Sequence, residues 1–216
     1  MKATEQHVVQ LLARVVERNF AARCEPGKTF PWLSPALPWP VHSPLARMRR
    51  ELLGATKPAA RAQAIVVSAY FGAPLNLIFE FDDSRHFNRW RARSLELYPA
   101  DAPLSFSVRS YEELCRDARP GCVAAAKQKQ QAFHDALVDL LPPAHGLNPT
   151  LRIAQAKLVD SPRQEFRGSE LEKRLAKLLD ERVALRANTT FLQMLRHPSA
   201  KPWVPTLFAS GEKHED

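Results

Sequence analysis

Residues 75–82, "LNLIFEFD", alternate without a break. Leu75, Leu77, Phe79 and Phe81 fall on one side of an extended chain, and Asn76, Ile78, Glu80 and Asp82 fall on the other. A period of two over eight residues excludes a helical stripe and predicts a strand that is apolar on one face and mixed on the other. The same geometry sets the carboxylates of Glu80 and Asp82 on one face, about 6–7 Å apart along the strand. One divalent ion could bridge them, or one of the two could ligate it alone. Asp83, His86 and the arginines Arg85, Arg89, Arg91 and Arg93 follow directly, so acids, a histidine and a dense positive charge meet at one strand end.

The rest of the chain supplies partners for that strand. Thr4 to about Ala22 reads as a helix capped by Thr4, with Val8, Val9, Leu11, Leu12, Val15, Val16 and Phe20 as its apolar stripe. Glu5 falls on the same row as Val9, Leu12 and Val16, and Glu17 borders it. In "CEPGKTFPWLSPALPWPVHSP" the prolines exclude a regular helix. Its Phe, Trp and Leu content predicts an ordered crossing loop with a short strand at about Phe30 to Leu33. "SPLARMRRELLGA" reads as a short helix with Ser43 as cap, Pro44 in the first turn and Gly54 as its stop.

Ala64 to Phe71 is β-branched and aromatic, and predicts a strand before the turn "GAP". Residues 84–96 fit a loop or a helix. "SYEELCRDA" reads as a helix capped by Ser110, residues 123–141 as a strong helix closed by Pro142 and Pro143, and "PTLRIAQA" as a strand. A last helix opens on a Ser169–Glu172 capping box with a stripe of Leu171, Leu175, Leu178 and Leu179. The expected architecture is α/β: a small mixed sheet flanked by helices, with an extra C-terminal helix.

With 216 residues, 45% of them hydrophobic and 25% charged, the chain can bury a sizeable core. Its apolar runs are too short for a membrane helix, and its three cysteines, Cys24, Cys115 and Cys122, lack metal-binding spacing. Free thiols in a cytoplasmic protein are the expectation. Seven glycines in no phosphate-loop pattern, and no nucleophile motif, argue against nucleotide-binding and hydrolase-triad classes. A net charge of +8 favours polyanions, among which nucleic acid is commonest.

The element order, with "FEFDDSRHF" on the third strand, resembles the PD-(D/E)XK nuclease superfamily, the restriction-endonuclease-like fold. Within it the chain is most similar to the very-short-patch-repair endonuclease-like bacterial proteins. The likeness rests on Glu80-Phe81-Asp82, on His86-Phe87 and on "KQKQQAFHDALVDLLPPAHGLNPTLRIA", and spans about residues 1–156. It implies an endonuclease-like core over 1–156 and a C-terminal helical extension and tail over 157–216.

For function the resemblance implies a Mg²⁺- or Mn²⁺-dependent DNA endonuclease of repair or defence. Glu80 and Asp82 would be the metal ligands and catalytic acids, and His86 a proton acceptor or further ligand. Arg85, Arg89, Arg91 and Arg93 would contact phosphates. Glu5 and Glu17 are the candidates for an acid on the first helix, Asp83 for an additional ligand, and Lys127, Gln128 and Lys129 for groups that orient water or phosphate. The family pattern has an Asp on the preceding strand and a Lys two residues after the Glu. Here Ser68, Ala69 or Tyr70 fills the first place and Asp82 the second. Two other functions fit the same residues: a nuclease-derived domain that binds nucleic acid without cutting it, and a protein-interaction scaffold that uses the C-terminal helix.

Overall fold

A computed structural model describes residues 3–54, 64–118, 123–158 and 170–179. In chain order the elements are α1 (Ala3–Phe20), β1 (Cys24–Pro26), α2 (Pro44–Leu53), β2 (Ala69–Phe71), β3 (Leu77–Asp82), α3 (Arg89–Leu95), α4 (Val108–Asp117), α5 (Ala125–Leu140) and β4 (Asn148–Ala154). Helical residues 170–179 form α6. The four strands make one mixed sheet in the order β1-β2-β3-β4, antiparallel except for the parallel β3–β4 pair. A parallel pair needs a long crossover; here α3, α4 and α5 supply it. The chain is therefore α/β, and no helix among the described residues is long and apolar enough to cross a membrane.

The alternation read in residues 75–82 sorts the layers. Leu77, Phe79 and Phe81 pack with the α1 stripe and with Leu171, Leu175 and Leu179 of α6. Ile78 faces the other layer, formed by Leu45, Met48 and Leu52 of α2 and by the Phe133–Leu137 face of α5. The leucines of α6 thus enter the same core as α1, and Glu172 pairs with Arg18 at 3.0 Å, so the expected boundary at residues 156/157 does not separate two packing units. Leu175 is fully buried. Leu175→Ala is expected to cost about 2–5 kcal/mol in urea unfolding, the range for a deleted core leucine; a change under about 0.5 kcal/mol would mean that α6 is not part of the cooperative core.

Some expected boundaries move, each for a visible reason. Phe30 to Leu33 is not a strand: Leu33 N–H closes a turn onto the Phe30 carbonyl, and Pro31 has no N–H to give a ladder. The first strand is β1, with Cys24 opposite Phe71. Of Ala64 to Phe71, only the last three residues join the sheet continuously. Ser68 bends the chain, because its hydroxyl takes the Phe81 N–H and its carbonyl takes that of Gly27. β3 begins at Leu77 because Asn76 adopts a left-handed backbone, φ 44°. Helix α4 starts earlier than expected: Ser107, not Ser110, is its cap, accepting the Ser110 N–H at 3.2 Å. Ser43, Pro44 and Gly54 delimit α2 as the sequence predicts. The Ser169 cap of the last helix lies outside the described residues.

Candidate functional site

Glu80 and Asp82 share the β3 face that looks toward α5, as period two requires, but their surroundings differ completely. Asp82 is fully buried. Its Oδ1 accepts from Arg152 Nη1 at 2.6 Å and lies 3.2 Å from His86 Nδ1, while its Oδ2 accepts from the Tyr111 hydroxyl at 2.8 Å. Arg152 comes from β4, in register with Glu80. Its Nε donates to Asp139 at 2.5 Å and its Nη2 to Asp135 at 3.3 Å. Asp135 and Asp139 are one turn apart on α5, so one helix face delivers both. Asp139 also takes Arg91 Nη2 at 2.7 Å and the Tyr98 hydroxyl at 2.6 Å.

His86 completes this cluster. Its Nδ1 lies 3.3 Å from Asp135 Oδ1, between that carboxylate and Asp82. Burial pushes its pKa down, but Asp135 and Asp82 push it up further, to about 9. Near neutral pH the cluster thus contains three carboxylates (Asp82, Asp135, Asp139) and three cations (Arg91, Arg152 and protonated His86). Burial would raise Asp135, yet His86 and Arg152 hold it well below the usual carboxylate range. Both phenols, Tyr98 and Tyr111, are kept protonated, chiefly by burial. Buried ions of both signs in equal number, each hydrogen-bonded, are the condition under which such a cluster is tolerated inside a protein.

Glu80 stands beside this network and not in it. Ser68 Oγ lies 3.2 Å from Glu80 Oε2 and 2.7 Å from Glu5 Oε1, so the hydroxyl bridges an acid of β3 and an acid of α1. One hydroxyl proton can serve only one carboxylate, so the other contact needs a proton on a carboxyl. Glu80 is the group that holds it: burial drives its pKa up to about 8, against the lowering field of Arg152. Glu80, Ser68 and Glu5 thus form one hydrogen-bonded chain that runs from β3 to α1.

The structure sorts the expected residues. Glu80 and Glu5 come together. Glu17 is twelve residues further along α1, about 18 Å up the axis, and does not join them. Asp83 is spent on Arg85, accepting Nε at 2.9 Å and the Arg85 backbone N–H at 2.9 Å. Arg91, expected on phosphate, is instead 1% exposed and locked to Asp139 and Tyr98, where no phosphate reaches it. Arg93 pairs with Glu51 and Glu96 on the surface. Arg89 and Lys129 both sit over the Trp90 ring, at 4.7 and 4.3 Å. Lys127 and Gln128 lie on the first turn of α5, Lys127 exposed and Gln128 half-buried.

Whether an ion suits these residues depends on where it is placed. Ligand atoms of Asp82, His86 and Asp135 lie within 4.8 Å of one another. An ion there would have to displace Arg152 from two aspartates and bring two more positive charges against Arg91 and Arg152. That cluster does not fit a divalent metal, and the expected Glu80–Asp82 pair fails with it, since Asp82 is already neutralised. Glu5, Ser68 and Glu80 offer hard oxygen donors, of the kind Mg²⁺ and Mn²⁺ take.

The two raised pKa values give a pH prediction. Folded Glu80 keeps a proton that the unfolded chain releases above about 4.5, so stability falls as pH rises from there to about 8. The stabilisation carried by His86⁺ is complete below about 6.5 and is lost as pH rises through about 9. The melting temperature is expected to fall between pH 6 and pH 9. Glu80→Gln should flatten the part below about pH 8, and His86→Gln the part between about 6.5 and 9. A melting temperature that is level across this range would contradict both assignments.

A family model described as "Family of unknown function (DUF7255)" matches residues 49–128, a span that runs from α2 into the first turn of α5 and holds Glu80, Asp82 and His86. No curated protein and no solved structure matches the chain.

Proposed function

We propose that the chain is a divalent-metal-dependent phosphodiesterase of nuclease type that acts on nucleic acid, with Glu80 and Glu5 as its metal-holding acids. The observation that carries this reading is the Ser68 bridge, which brings carboxylates of β3 and α1 within reach of a single hydroxyl. The sequence resemblance to PD-(D/E)XK nucleases and the net charge of +8 support the same class. Mg²⁺ or Mn²⁺ bound there would lower the pKa of a coordinated water and polarise a phosphoryl oxygen.

The remaining work belongs to the chain itself. Glu80 holds a proton at rest and releases it as positive charge approaches, so its raised pKa couples cation binding to proton release. Ser68 fixes the separation of the two acids and is tied to the backbone of Phe81. Arg152 keeps a positive field opposite Glu80 from β4. His86 is a positioning residue here and not the proton acceptor expected from the sequence, because an imidazolium between two aspartates has no lone pair to offer.

The alternative, a nuclease-derived domain that binds nucleic acid without cutting it, is favoured by one specific observation: Asp82 stands where the family pattern has a lysine, and it is fully engaged. Calorimetric titration with Mn²⁺, paired with cleavage of labelled duplex DNA with and without EDTA, separates the two. Mn²⁺ binding with EDTA-sensitive cleavage supports the enzyme. DNA binding with neither Mn²⁺ binding nor cleavage supports the inactive domain, and binding of neither leaves the scaffold reading.

A further inference from the structure

Glu51, on the outer side of α2, is held by arginines from two helices. Arg47 Nε donates to it at 3.1 Å, and Arg93 of α3 donates through Nε at 2.9 Å and Nη2 at 2.5 Å. Arg50 lies beside them, donating to the Val41 carbonyl at 3.1 Å, and a surface cavity of about 340 Å³ is lined by His42, Arg47, Arg50 and Glu51 together with Val41. One turn back along α3, Arg89 shares the row of Arg93. Its guanidinium and the Lys129 ammonium of α5 both rest on the Trp90 ring. The positive side chains therefore follow one another across three helices: Arg47 and Arg50, then Arg93 and Arg89, then Lys129. Among the described residues, only Glu51 and Glu96 are paired against these five cations.

We propose that this α2–α3–α5 track is a docking surface for a nucleic-acid backbone, which grips phosphodiesters without reading bases. It rests on the nucleic-acid substrate class proposed above, though not on the metal site. Three features select a phosphate chain. Four of the five cations are arginines, whose planar fork meets phosphate oxygens in pairs. The five are carried by three helices that pack side by side, α2, α3 and α5. The aromatic ring on the track is engaged by two cations, so it holds charges in place where a stacking platform would offer a bare face. Lys129 lies about 9 Å along the α5 axis from Asp135, so the track ends near the buried ion cluster.

Binding of a fluorescent duplex DNA to the full chain, measured in EDTA across a salt series, tests this. Arg89→Gln/Arg93→Gln/Lys129→Gln is expected to flatten the log–log salt slope by roughly 2 to 3 and to weaken binding about tenfold or more at low salt. Arg14→Gln/Arg18→Gln/Arg109→Gln removes the same charge from exposed positions of α1 and α4, and should change the slope by less than about 1. Equal losses in the two triple variants, or no binding by the wild type, would overturn the track. Equally tight binding of poly-glutamate would overturn it in favour of an acidic polypeptide partner. Because EDTA removes the ion, this binding is read without the metal site. If Mn²⁺ binding is absent while the track variants still lose DNA, the metal reading falls and the track stands.

Discussion

Arg152→Met is expected to remove roughly 3–5 kcal/mol of folding free energy, the cost of breaking a buried ion cluster by deleting one partner. The side chain is 1% exposed and gives hydrogen bonds to Asp82, Asp135 and Asp139. Methionine matches much of its volume, so the loss comes from three carboxylates left facing one another and not from a cavity. Against a typical domain stability of about 5–15 kcal/mol, the variant should unfold at much lower urea and accumulate poorly as soluble protein. Arg91→Met should cost less, because Asp139 keeps Arg152 and the Tyr98 hydroxyl. Arg93→Gln, which loses only exposed pairs, should stay within about 1 kcal/mol of wild type. Urea midpoints that place Arg152→Met beside Arg93→Gln would mean that the cluster contributes nothing to the fold.

This cluster also marks where reading the sequence stops. The elements with strong periodicity, α1, α2, β3 and α5, were legible because burial imposes one period on many residues. The three-residue β1 was not, since its place is set by pairing with β2 and leaves no pattern of its own. Arg85, Arg89, Arg91 and Arg93 look like one solvated cluster in the sequence, yet once α3 forms, positions two apart point to opposite sides. Arg89 and Arg93 go out and Arg91 goes in. A signal for the missed residues did exist. Asp135 and Asp139 are spaced one turn apart amid Ala132, Phe133, Ala136 and Leu137, and Arg152 interrupts the apolar run of Leu151 and Ile153. Charged residues on an apolar row need partners, and three such residues predict one another. Tyr98, Tyr111 and Ser68 carry no comparable mark, because a tyrosine or serine suits many environments. Glu5 was legible as an oddity of its row, and the bond through Ser68 explains it.

Glu80→Gln and Glu5→Gln are each expected to weaken Mn²⁺ binding by more than about 100-fold, since even second-sphere losses around a metal cost 10–100-fold. Any metal-dependent cleavage of DNA should fall with it. The effect on stability separates this from simple misfolding. Glu80 keeps its proton in the folded chain up to about pH 8, so replacing it with a neutral amide of the same shape should leave the melting temperature unchanged near pH 4.5 and raise it progressively between there and pH 8. Asp82→Asn makes the opposite case. It removes a charge that Arg152 and His86 need, so it should destabilise the fold while the folded fraction keeps its Mn²⁺ affinity. Ser68→Ala leaves both acids but releases their spacing, and should weaken Mn²⁺ less than either glutamate variant. Had the ion instead been held by Glu80 and Asp82 from one face of β3, as the strand's period alone suggests, Asp82→Asn would abolish binding and Glu5→Gln would spare it. Calorimetry on the four variants, read beside their melting curves, decides between a site that joins α1 to the sheet and one confined to a single strand.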